Sequence, residues 1–107
     1  MAASRIETLK QMLQEQPDDP FLKYALAMEW LPTQPQEAGK MFKDLLENHA
    51  DYLPTYFMAA QFYAEEEENK LAEDIYVQGI ALAQQQNNLK TLAELKNAYQ
   101  NWQFELD

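Results

Sequence analysis

The chain has no cysteine, which removes disulfides and thiolate zinc sites from consideration. Glycine is nearly as scarce, with 2 in 107 residues, too few for a loop that cradles phosphate on its backbone amides. Val77 is the single valine, and no β-branched run alternates along the chain, so nothing in the pattern asks for a strand. No apolar stretch is long enough to span a bilayer, and no basic-then-apolar leader follows Met1. The expectation is therefore a cytoplasmic protein with no membrane contact. Positive charge is also short: 8 Lys and Arg face 18 Asp and Glu, for a formal net charge of −10. Such a surface repels a phosphate backbone, so nucleic acid is not an expected partner. The same acidity favours solubility and would suit a cationic partner.

What is present is helix-forming: Ala, Leu, Gln, Glu and Lys dominate, and the class read from them is all-α. Ser4-Arg5-Ile6-Glu7 has the form of a capping box. Behind it Ile6, Leu9, Met12 and Leu13 make the stripe of a first helix over about 4–15, which Pro17 ends. Asp19-Pro20 supplies an N-cap and a first-turn proline. The second helix, about 20–31, carries Phe21, Leu22, Ala25, Leu26 and Met28. Thr33-x-x-Gln36 suggests another capping box before a third helix over about 34–49, with Ala38, Met41, Phe42, Leu45 and Leu46 inside.

Fourth and fifth helices, about 53–66 and 69–85, meet at the acidic turn Glu66–Asn69. Tyr56, Ala59, Ala60 and Tyr63 form one apolar face, and Leu71, Ala72, Ile75, Tyr76, Gly79 and Ile80 the other. Gly79 inside a helix costs about 1 kcal/mol relative to alanine, and its expected return is close helix–helix approach. A sixth helix follows the polar break at 84–88, with Leu89, Leu92, Ala93, Lys96, Tyr99 and Trp102 on one side.

An offset of 34 residues lays 19–48 on 53–82, pairing Pro20 with Pro54, Ala25 with Ala59 and Ala38 with Ala72. Leu22 meets Tyr56, Met41 meets Ile75, Phe42 meets Tyr76 and Leu46 meets Ile80. The matches fall on packing positions, and both halves break at the same place. This pattern of large and small residues resembles the tetratricopeptide repeat, a helix–turn–helix unit stacked in arrays. Tyr56, Ala60, Tyr63, Ala72, Tyr76 and Gly79 fit its pattern well; Leu22, Leu26, Glu29, Ala38, Phe42 and Leu45 fit less well. Neither repeat turn carries the usual glycine. The sixth helix does not keep the register, since Lys90, Glu94 and Asn97 would fall on core positions; a shift of one residue restores an apolar face.

The resemblance implies a single domain over 1–107: a leading helix 1–17, repeats 19–52 and 53–86, and a capping helix 88–107, stacked as a short right-handed superhelix. It also implies a concave groove lined by the first helix of each repeat. Carried over, the groove residues are Lys23, Ala27, Trp30 and Leu31 in the first repeat, beside Pro20. In the second they are Phe57, Gln61, Ala64 and Glu65, beside Pro54. Trp30, Leu31 and Phe57 lie off the core stripes of their helices, as anchors for a partner would. The family's clamp for a partner's C-terminal carboxylates is not present, because only Lys23 matches where Ala27, Met58, Asn88 and Leu92 do not.

The expected function is a non-catalytic protein–protein interaction module, an adaptor or scaffold that takes a peptide or helix in its groove. The competing reading is a self-associating module, monomeric or weakly homodimeric. No metal and no cofactor are called for. His49, the only histidine, has no nucleophile or second base in a recognisable pattern. The run Glu65–Glu68 lies along one helix end, where consecutive side chains diverge rather than converge on a cation.

Overall fold

Proline sets where three of the helices begin. Its ring holds φ near the helical value and its missing N–H is no loss in a first turn. The computed structural model describes residues 2–106, with side chains from residue 5 onward, and holds six α-helices and no strand among them. They are α1 (Ala2–Glu15), α2 (Pro20–Trp30), α3 (Pro35–Asn48), α4 (Pro54–Glu65), α5 (Asn69–Gln85) and α6 (Leu89–Leu106). Pro20, Pro35 and Pro54 each open a helix.

Asp19 caps α2 as expected, its carboxylate accepting from the Phe21 amide at 2.9 Å and the Leu22 amide at 3.4 Å. The other two expected caps fare differently. α3 starts at Pro35 with Gln34 as its N-cap and no side-chain hydrogen bond there, so the box at Thr33 does not form. The box at Ser4 falls on a side chain outside the described residues, and α1 already begins at Ala2.

The turns after α4 and α5 use a residue other than glycine in the left-handed region. Glu67 has φ 61° and Asn87 φ 60°. Around Glu67 the amides of Glu68 and Glu67 donate to the carbonyls of Tyr63 and Ala64 at 2.9 and 3.1 Å. Around Asn87 those of Asn88 and Asn87 donate to Ala83 and Gln84, again at 2.9 and 3.1 Å. Both are Schellman endings, which satisfy the last carbonyls of a helix and reverse the chain.

The helices fall into two compact units, residues 1–52 and 53–107. In the first, α2 packs against both α1 and α3. Its buried side chains include Ile6, Leu9, Leu22, Leu26, Trp30, Ala38, Phe42 and Leu45. Phe21, expected inside, is 63% exposed. The buried stripe of α2 runs through Leu22, Leu26 and Trp30, and Phe21 sits about 100° around the helix from it. Ala25 is half-buried.

In the second unit α5 is the central helix, packed against α4 and α6. Tyr56, Ala59, Ala60 and Tyr63 of α4 and Ala72, Ile75, Tyr76 and Ala83 of α5 are buried. Gly79 is where α5 is tightest: a Cβ built there would lie 2.7 Å from the Cβ of Tyr56 and 3.3 Å from Cδ1 of Leu95. One hydrogen at Gly79 thus lets α4 and α6 both approach α5. On α6 the face is Leu95 and Trp102, buried, flanked by half-buried Thr91, Ala98 and Tyr99. Thr91, Leu95 and Ala98 are the positions reached by the one-residue shift of register. Leu89, Ala93 and Lys96, expected on the inner side, are exposed. Tyr76 binds this face with its ring stacked 5.4 Å from Tyr99 and tilted 5.7 Å from Trp102, geometries typical of aromatic clusters. No described helix is long and apolar enough to cross a membrane.

Candidate functional site

α4 and α6 flank α5 in the second unit, and the space between them is a cleft of about 580 Å³. One wall is α4: Phe57, Gln61, Ala64 and Glu65. They recur at intervals of four, three and one, which aligns them on one face of a helix. The opposite wall is α6, through Glu94, Asn97, Ala98, Asn101 and Glu105, with Trp102 at its base, and Tyr76 of α5 contributes to the floor. The two small residues, Ala64 and Ala98, leave the opening wide, and Phe57 is half-buried beside it.

The chemistry of this cleft is aromatic below and acidic or amide above. Glu65, Glu94 and Glu105 are exposed, and among the described residues no lysine, arginine or histidine lines the cleft. Burial, and then the charge of Glu105, pushes the Tyr76 phenol above its ordinary range, so that carboxylate is felt at the floor. Outside the cleft, nearby carboxylates are engaged. Glu73 accepts from the Tyr99 hydroxyl at 3.2 Å, and Asp74 pairs with Lys70 at 3.0 Å.

All four residues expected on α4 therefore meet in one place. The four expected on α2 belong to the other unit and are committed within it. Lys23 is not open to a ligand: its ammonium pairs with Asp44 at 2.7 Å and lies 3.3 Å from Nε2 of His49. Burial alone would push the Asp44 carboxyl up, but hydrogen bonds from Lys23 and Asn48 and the charges of Lys23 and His49 hold it below the usual aspartate range. Ala27 is fully buried. Trp30 is only 9% exposed, with the Lys10 ammonium of α1 5.9 Å from its ring centroid. The expectation of an exposed Trp30 is corrected: the leading helix covers it. Leu31, half-buried, is the C-cap of α2. Phe104 and Leu106, which could have served as a cover, are exposed.

The wall on α6 was missed by the sequence reading. Its signal was there, because Glu94, Asn97, Ala98, Asn101 and Glu105 recur at helical spacing next to the stripe that the shifted register makes apolar.

Antiparallel helical hairpins closed by an extra helix, with a cleft between alternate helices, define an all-α helical-repeat protein. Solved structures agree. The chain is 36% identical to a solution NMR structure of a tetratricopeptide repeat domain protein from Salinibacter ruber, over 80% of this chain and 88% of that one, with a TM-score of 0.75. A crystal structure of a tetratricopeptide repeat domain protein from Salinibacter ruber matches at 35% identity over 79% of this chain and 97% of that one, TM-score 0.76. The chain belongs to the tetratricopeptide repeat family. No family model matches it, and no curated protein does.

Proposed function

We propose that this chain is a non-catalytic interaction module that takes a peptide or helix of another protein in the cleft between α4 and α6. The observation that carries the reading is Phe57: a half-buried aromatic that points its helix face into a cleft of about 580 Å³ rather than into a packed core. Gln61 supplies a donor and an acceptor beside it, and Ala64 and Glu65 extend the wall. Aromatic anchors beside polar groups are how interfaces concentrate their binding energy.

The test is a peptide selection on the full chain, repeated on a Phe57→Ala, Gln61→Ala variant. Peptides selected on the wild type should lose at least about tenfold in affinity on the variant, while the helical circular dichroism stays the same. Selected peptides whose amide-exchange footprint lies away from α4 and α6 would refute the proposal.

Self-association is the second reading, and one observation favours it. Leu89, Phe104 and Leu106 of α6 are large, apolar and exposed, a combination that marks contact surfaces when it recurs on one element. Light scattering over a concentration series separates the readings: a dimer that persists at low micromolar concentration and is lost in Leu89→Ser, Phe104→Ser supports self-association.

A further inference from the structure

The cleft has a chemical preference that the interaction-module reading does not include. From its charge we infer that the occupant is a basic peptide segment, one that places an arginine or lysine between the carboxylates of α4 and α6. The inference rests on the cleft being the binding site and adds what binds there.

Three carboxylates ring the opening, Glu65 from one wall and Glu94 and Glu105 from the other. None has an ion pair or hydrogen-bond partner among the described residues, whereas the nearby Asp74 pairs with Lys70 and Glu73 takes the Tyr99 hydroxyl. The cations of the same element do not answer them: Lys90 and Lys96 are exposed on α6 and neither lines the cleft. Unpaired like charges facing one concavity repel one another, and a low-dielectric floor strengthens that repulsion. A guanidinium or ammonium entering from solvent relieves it.

The rest of the lining suits the same guest. Tyr76 and Trp102 line the base as aromatic surface, against which the aliphatic stem of an arginine or lysine can pack while its charged head stays at the rim. Asn97, Asn101 and Gln61 can accept from the remaining N–H groups of a guanidinium or take the peptide backbone. An acidic segment would meet three carboxylates and no cation. A wholly apolar one would bury those carboxylates without a partner, which is costly. The net charge of −10 adds long-range attraction for the basic segment and none for the alternatives.

The experiment uses the full chain and three fluorescein-labelled helical peptides of one Ala/Leu framework, differing only in whether the variable positions are Arg, Gln or Glu. The Arg peptide should bind at least about tenfold more tightly than the Gln peptide, and the Glu peptide should show no saturable binding. Raising salt from about 50 mM to about 500 mM should weaken the Arg peptide severalfold. Glu94→Lys, Glu105→Lys should cost it at least about tenfold. As a control for charge at large, Glu15→Lys, Glu47→Lys reverses two exposed carboxylates of the first unit and should cost much less. Equal losses in the two variants would reduce the effect to overall acidity and overturn the inference. A Gln or Glu peptide that shifts the NMR signals of Phe57 and Ala98 as strongly as the Arg peptide leaves the cleft a binding site but overturns the basic occupant. No shift at either residue with any peptide overturns both readings.

Discussion

Thr55 and Tyr63 show how single side chains in α4 respond to being sealed from water. The Thr55 hydroxyl is fully buried and has no hydrogen-bond partner among the described residues. A buried hydroxyl left unpaired costs about 1–3 kcal/mol of desolvation. Thr55→Val keeps the shape and removes the orphan, so it should leave stability unchanged or raise it by about 1 kcal/mol, read as a higher urea midpoint with the same m-value. Tyr63 gives the pH dependence. Burial first, then the charges of Glu68 and Glu66, push its phenol up to about 12 from an ordinary 10.0. A raised pKa means the folded state holds its proton after the unfolded chain has lost it. Stability is therefore intact below the ordinary value and falls as pH rises from there towards about 12. Circular dichroism across that range should show alkaline unfolding, and Tyr63→Phe should move its midpoint upward. A midpoint unmoved by that change would assign the unfolding to other groups.

At the scale of the helix, close approach and chain reversal decide most. Alanine in place of Gly79 would gain about 1 kcal/mol of helix propensity. Its Cβ would also sit 2.7 Å from the Cβ of Tyr56, a stiff atom next to the backbone rather than the far end of a side chain. Overpacking of that kind costs about 1–3 kcal/mol, so Gly79→Ala should lower the thermal midpoint despite the better propensity. Glu67 is the reverse case. It holds φ 61° at a Schellman turn, where a side chain costs roughly 1 kcal/mol or more and glycine costs little. It also adds negative charge past the C-terminal end of α4, where the helix dipole disfavours it. Glu67→Gly should therefore raise the thermal midpoint by a few degrees in a calorimetric scan.

For the whole molecule the governing quantity is charge. Ten more acidic than basic groups on 107 residues repel one another in the compact state more than in an expanded chain. Salt shortens the reach of that repulsion. Raising sodium chloride from about 20 mM to about 500 mM should increase the melting temperature by about 2–5 °C, opposite in sign to its effect on the binding of a basic peptide. A melting temperature that falls with salt would mean that pairs such as Lys23–Asp44 and Arg5–Glu29 outweigh the excess of negative charge.

Local chemistry and helical spacing alone determined the all-α class, the cap at Asp19, the break at Pro17 and the close approach at Gly79, because each depends on a few neighbours in the chain. The α4 face of Phe57, Gln61, Ala64 and Glu65 came instead from the resemblance to the tetratricopeptide repeat, whose groove positions carry over onto those residues. What tertiary structure decided was which faces remain open. Trp30, expected off the core stripe, continues the buried face of Leu22 and Leu26 under α1, and Lys23 turns to Asp44 and His49 across to α3. Phe21 looks like core and stays in water. Glu94, Asn101 and Glu105 become a wall only once α5 carries α6 opposite α4. A helix's own period tells which residues share a side, but the angle at which the next helix crosses it selects the side that meets water. That angle is set by pairs of residues far apart in sequence, such as Gly79 with Tyr56 and Leu95.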